Sequence, residues 1–176
     1  MAADFLCGRD VRAGYIAPAD LAEKIRSGSD GLVVLDVRDD DLYGGSIQNA
    51  VNVPVSCFKN DYLLDDVISR LGLLSPGNAG AGRVTTVVVH CMFSQQRGPF
   101  AALRLLERVK ELSGSGHVPE VLVLRGGFRA FSDAYSDLLQ TAPAAAIDLD
   151  GLGGDVAGKL GGDAAPTVPT SPPLHT

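Results

Sequence analysis

Residues 83–99 read RVTTVVVHCMFSQQRGP. The first half is rich in β-branched residues, which pack well on a pleated strand and crowd a helix. Val87, Val88 and Val89 follow one another without the polar alternation of a strand that has one wet face. Such a run suits a central parallel strand covered by helices on both sides. It ends on His90 and Cys91, and five residues then separate Cys91 from Arg97. Gly98 and Pro99 come next, and proline suits a first helical turn because its missing N–H has no partner to lose there. Strand, short loop and helix in that order put the loop at the carboxyl edge of a sheet, where open α/β sheets bind their ligands.

Two further runs have the same buried-strand character, GLVVLDVR at 31–38 and VLVL at 121–124. A shorter strand is expected around Val51 to Val53, stopped by Pro54. Helices are expected between them. PADLAEKIRSG carries Leu21 and Ile25 on one face, with Ile16 just before it and Gly28 as the stop. DYLLDDVISRLGLL has Leu63, Leu64, Val67, Ile68 and Leu71 at helical spacing. RGPFAALRLLERVKEL offers Ala102, Leu105, Leu106, Val109 and Leu112, and FRAFSDAYSDLL groups Phe128, Phe131, Tyr135, Leu138 and Leu139. Strands alternating with helices define an α/β fold with a mostly parallel central sheet flanked by helices, a three-layer arrangement. Residues 75–82, SPGNAGAG, read as a loop. We expect a flexible N-terminus over 1–13, one domain over 14–140, and a disordered low-complexity tail over 141–176, where Ala, Gly, Asp and Pro dominate.

Composition narrows the function. The chain has 176 residues, 45% hydrophobic and 20% charged, enough for one domain with a real core. Its formal net charge of −6 argues against nucleic acid as a partner, which would call for a basic stripe. No stretch approaches the ~20 apolar residues of a membrane helix, so no membrane partner is expected. Cys7, Cys57 and Cys91 are too few and too widely spaced for a disulfide framework or a zinc site, and no metal is expected. The N-terminus lacks the apolar core of a signal peptide. The expected location is the cytoplasm, with the nucleus as an additional compartment.

The loop itself carries the chemistry. Between a strand end and a helix start, the N–H groups of Met92, Phe93, Ser94, Gln95 and Gln96 can converge where the helix dipole favours an anion. The Arg97 guanidinium adds a planar fork that matches two oxygens of a tetrahedral oxyanion. The same field favours a thiolate at Cys91, the nucleophilic form of the residue. Cys91 and Arg97 are therefore the candidate catalytic pair, and residues 92–96 the candidate substrate-binding donors. The chemistry is covalent phosphoryl transfer through a cysteinyl phosphate, with no cofactor.

HCMFSQQRGP resembles the active-site loop of the dual-specificity cell-cycle phosphatases, with their His-Cys, Phe-Ser and Arg-Gly-Pro frame. It is also similar to that of the eukaryotic arsenate reductases. Both belong to the rhodanese superfamily, and YIAPADLAEKI, VVLDVRDDDLYGGSIQNAVNVP and VLVLRGGFRAF resemble rhodanese segments in the expected order. The resemblance implies a rhodanese-like fold and a cysteine-dependent protein phosphatase acting on a phosphoprotein. The alternative it implies is an arsenate reductase acting on a small oxyanion, with glutathione or glutaredoxin as reductant and glutaredoxin as partner. Sulfur transfer, or a non-catalytic binding module, ranks third. Sulfurtransferase loops are usually one residue shorter, and decayed modules usually lose the cysteine.

The chain departs from those families at three places. Ser46 stands where histidine is usual, Met92 where the cell-cycle phosphatases have an acidic residue, and Val37 where they have a second cysteine. The resemblance implies an ion-pair network of Asp36 and Arg38 behind the loop. His90 is expected to be a hydrogen-bonded packing residue, and Asp39, Asp40, Asp41, Asp61, Asp65 and Asp66 solvated surface carboxylates. Arg104 and Arg108 either present a basic face or pair with Glu107 and Glu111. Gly126 and Gly127 are expected to serve backbone geometry. Cys7 or Cys57 could act as a resolving thiol, though packed or exposed cysteines need no such role.

Overall fold

A computed structural model of the chain describes residues 12–74, 83–114, 116–142 and 144–147. The Val-rich run forms β5 (Thr86–His90), buried along its whole length. It pairs in parallel with β2 (Leu32–Asp36) on one side and β6 (Glu120–Leu124) on the other. Outward from these lie β1 (Gly14–Ile16) beyond β6, then β4 (Val51–Asn52) and β8 (Ala145–Ala146) beyond β2. Every pairing in this six-stranded sheet is parallel.

The strand residues alternate between two cores, as a pleat of period two requires. Leu35, Val87, Val89, Val121 and Val123 face α2 (Asp61–Arg70), α3 (Arg97–Ser113) and a 3-10 segment, Val55–Lys59. Val34, Val88, Leu122 and Leu124 face α1 (Pro18–Arg26) and α4 (Gly127–Ala134), meeting Leu21, Phe128 and Phe131. Each such side chain contributes about 1.5–3 kcal/mol of burial. The result is the α/β fold with helices on both sheet faces. Asn60, ahead of α2, accepts from Tyr62 N at 2.9 Å and Leu63 N at 3.3 Å, which satisfies two otherwise orphaned donors.

Three expectations are corrected. The final helix stops at Ala134 instead of running to Leu139, because Tyr135 leaves the helical region (φ −134°, ψ 56°). A 3-10 turn over Ser136–Leu138 then delivers Leu139 into β7 (Leu139–Gln140), antiparallel to β3 (Ser46–Ile47). Leu112 stands 42% exposed, while Gly98 and Ala101 join the buried stripe of α3. At about 25 Å, a 17-residue helix outruns a five-residue strand of about 17 Å, so its last turn overhangs the sheet. Order also continues past residue 140. Ala144 is 5% exposed, Ala145–Ala146 pairs with β4, and Ile147 N donates to Asn52 O at 3.3 Å. The small residues that read as a low-complexity tail are what a tight edge pairing there admits. The expected loop at 75–82, most of the N-terminal segment with Cys7, and the tail from 148 onward lie outside the described residues.

Candidate active site

The register of β2 and β5 brings Asp36 opposite His90, so the chain leaving each strand emerges side by side at the sheet's carboxyl edge. Cys91 begins the loop from β5. Its carbonyl accepts Phe128 N at 2.9 Å, and the Met92 carbonyl accepts Arg129 N at 2.9 Å. The first turn of α4 thereby takes up two loop carbonyls. Gly127 makes this approach possible. Its φ is +63°, and a Cβ there would lie 2.5 Å from Cys91 O. The interaction joins two motifs read separately in the sequence, the loop and the glycines that follow VLVL.

Ser94 turns the loop back with φ +52°. Its N–H points at Cys91 Sγ at 3.2 Å, and its Oγ accepts Cys91 N at 3.4 Å. α3 starts with no side-chain cap at Gln96, so its first donors stay open toward the loop. Cys91, Phe93, Gln95, Gln96 and Arg97 line an open pocket of about 380 Å³. Met92 and Ser94 do not line it with their side chains. Met92 is buried in the core facing α1 and α4, and Ser94 sits beneath the thiol.

Arg97 is not free. Its Nη1 and Nη2 donate to Asp41 Oδ1 and Oδ2 at 2.7 and 2.5 Å, and Nη1 also donates to Asp39 Oδ2 at 3.2 Å. The hydrogen bond from Arg97 holds the Asp41 carboxyl below its ordinary range. Asp39 and Asp41 are thus partners of the loop arginine and not solvated surface charges. The sequence signal was present in the three aspartates just past the end of β2, but their reach across to β5 depends on strand order.

Behind the loop, Asp36 and Arg38 are fully buried and paired, with Arg38 Nη2 2.6 Å from Asp36 Oδ2. The Arg38 guanidinium also donates to Tyr43 O at 3.2 Å and Gly45 O at 2.8 Å, and stands 4.1 Å over the Phe128 ring. His90 stacks near Phe128 at 6.3 Å between centroids, but neither ring nitrogen has a hydrogen-bond partner among the described residues. The expectation of a hydrogen-bonded histidine is corrected. The β-ladder supplies backbone pairing at this position, while the ring is fully buried between the Asp36–Arg38 pair and Phe128, beyond hydrogen-bond reach of Asp36. Burial pushes the His90 pKa down against the pull of Asp36, whose Oδ1 lies 3.9 Å from Nδ1.

Ser46, in the usual histidine position, is fully buried and its Oγ donates to Ala142 O at 2.8 Å. Val37 packs in the core. Cys57 is buried, and burial raises its thiol pKa; both described cysteines are free. Arg104 pairs with Asp61 and Glu107, and Arg108 with Asp65 and Glu111. These cross-links between α2 and α3 neutralise what could have been a basic face. Among the described residues no cluster of three or more His, Cys, Asp or Glu is placed to hold a metal, and no helix is long and apolar enough to cross a membrane.

Fold and loop define a class: a three-layer α/β domain with a cysteine-headed loop at the carboxyl edge of a parallel sheet and an arginine closing it. The chain belongs to the rhodanese-like family, whose domain matches residues 17–134. It is 35% identical to the "CDC25-like phosphatase YCH1" of Saccharomyces cerevisiae over 132 residues, covering 70% of this chain and 84% of that one. The "Dual specificity phosphatase ibp1" of Schizosaccharomyces pombe is 29% identical, over 69% of this chain and 89% of the other. Among solved structures, a yeast protein tyrosine phosphatase of the rhodanese family superposes with TM-score 0.58 at 29% identity, covering 72% of this chain and 88% of that one. The As-Sb reductase of Leishmania major superposes with TM-score 0.53 at 28% identity, covering 72% and 81%. The relatives support a cysteine-based enzyme in general.

Proposed function

We propose that the chain is a cysteine-dependent protein phosphatase of the tyrosine or dual-specificity type. The observation that carries this reading is the Ser94 N–H directed at Cys91 Sγ at 3.2 Å, in a pocket that Arg97 also lines. The sulfur there accepts a backbone donor and faces a pocket with room for an oxyanion. Cys91 Sγ attacks phosphorus, the ester P–O bond breaks, and the leaving oxygen takes a proton. Water then cleaves the S–P bond and returns the thiolate and inorganic phosphate. Asp41, held ionised by Arg97, is unsuited to supply the proton. A phosphoprotein is the substrate class in this reading.

A second reading is favoured by the likeness to the As-Sb reductase. Cys91 would then attack arsenate with loss of water. Glutathione or glutaredoxin thiols would supply two electrons, leaving arsenite and a disulfide. Arsenate and phosphate are near isosteres, so one loop can serve both.

The test is a paired assay of the protein and Cys91→Ser. One arm follows p-nitrophenyl phosphate, the other arsenate reduction with glutathione and glutaredoxin. Phosphate release lost in Cys91→Ser, without arsenate turnover, is the expected result. Efficient Cys91-dependent arsenate turnover with poor ester hydrolysis would move the reductase to first place. Silence in both arms would sink both readings.

A further inference from the structure

The guanidinium of Arg97 has two distinct edges. The end-on edge, formed by Nη1 and Nη2, is filled by the Asp41 carboxylate, and Asp39 takes a further Nη1 hydrogen. The side-on edge, Nε with the outer hydrogen of Nη2, has no hydrogen bond to any described residue. A guanidinium offers five N–H donors in a rigid fork, so occupying one edge leaves the other intact and fixes its direction. An arginine on a flexible stem would otherwise lose rotamer freedom on capturing an anion.

Asp41 is itself held from behind. Its carboxylate Oδ1 accepts Asp39 N at 3.2 Å, and its carbonyl lies 3.5 Å from Arg38 Nη1. Arg38 also ties down the carbonyls of Tyr43 and Gly45, and it is locked to Asp36 in the core. Asp39 and Asp41 thus form an arm that reaches from the end of β2 to the loop of β5 and is anchored through Arg38. In a merely solvated carboxylate, none of these contacts would be needed.

We propose that Asp41 is a positioning residue for oxyanion binding: it grips Arg97 end-on, with Asp39 beside it, so that the Nε–Nη2 edge is the one presented to the oxyanion above Cys91. This rests on the oxyanion-loop reading of Cys91 and Arg97. It concerns binding of the anion and holds whichever of phosphate or arsenate is turned over. Asp41 does not touch the anion; it acts through Arg97. Its opposite would be a latch, in which Asp41 competes with the anion for the arginine.

The experiment reads anion binding without turnover. The full chain is alkylated with iodoacetamide, modification at Cys91 is followed by peptide mass, and protection by inorganic phosphate or tungstate is titrated. The proteins compared are the native chain, Asp41→Ala, Asp41→Glu and Arg97→Ala, each checked for native thermal melting. We expect Asp41→Ala to weaken protection about tenfold, the scale of one charged hydrogen bond. Asp41→Glu should recover part of it, and Arg97→Ala should abolish it. The alkylation rate without anion should stay within about twofold in Asp41→Ala, a separation that general loosening of the loop would not give. Tighter protection in Asp41→Ala would overturn the proposal in favour of the latch, and unchanged protection would make Asp41 a bystander. Absence of protection in the native chain itself would remove the oxyanion reading and this proposal together.

Discussion

At the scale of single residues, the site depends on polar groups placed where water is excluded. His90 is the clearest case, since it is fully buried beside Asp36, Arg38 and Phe128 and its pKa is lowered from 6.5 chiefly by desolvation. A histidine kept neutral in the folded chain binds fewer protons than in the unfolded chain once the pH drops below its ordinary value. Stability from this group is therefore complete above about pH 6.5 and is lost as pH falls toward the lowered folded value. The carboxyls with lowered values, Asp41, Asp65 and Asp137, start from 3.8 and act only at more acid pH. Urea unfolding between pH 5 and 7 should show stability rising with pH in the native chain and a flatter profile in His90→Asn. An equal slope in both proteins would mean that the ring is protonated in the fold or that another group titrates there.

At the scale of elements, the loop is shaped as much by α4 as by β5. Gly127 in the left-handed region lets Phe128 N and Arg129 N reach the carbonyls of Cys91 and Met92. Gly127→Ala would drive a Cβ to 2.5 Å from Cys91 O and 2.7 Å from Met92 O, so α4 or the loop must move. With backbone strain and weakened hydrogen bonds together, the expected cost is about 2–4 kcal/mol in urea unfolding, with slower turnover beyond the stability loss. A variant within about 0.5 kcal/mol of the native chain would show that the junction yields easily. The strands with continuous apolar runs, and helices with clear stripes, were legible because each pattern has one period that buries it. Cys91 and Arg97 reach one pocket for another local reason, because only five residues separate a strand end from a helix start. What was not legible rests on contacts between distant segments. The helix end at Ala134 follows from Leu139 pairing with Ile47, and the roles of Asp39 and Asp41 follow from β2 lying beside β5. Neither neighbour is visible within a window of local sequence.

At the scale of the whole molecule, the segment after residue 140 closes the sheet edge and supplies Ala142 O to the buried Ser46 hydroxyl. A chain ended at Gln140 should melt well below one ended at Ile147, because it loses the β8 ladder and leaves a buried hydroxyl unpaired; equal melting would return the domain boundary to 140. Deeper in, the Asp36–Arg38 pair connects both walls of the site. Arg38 holds the carbonyls of residues 41, 43 and 45 on one side and covers Phe128 on the other, and Phe128 N holds the Cys91 carbonyl. Arg38→Ala strands the Asp36 charge in the core and should cost about 3–5 kcal/mol. Replacing the pair together, Asp36→Leu with Arg38→Met, removes that stranded charge, and such swaps are often neutral for stability. The two roles of the pair then separate. If it serves only to fill the core, the double variant regains both stability and oxyanion protection of Cys91. If it is the splint for the aspartate arm, stability returns while phosphate protection stays weakened to the extent seen in Asp41→Ala. We expect the second outcome, because a methionine and a leucine can fill the volume but offer no donor to the carbonyls that hold the arm against Arg97.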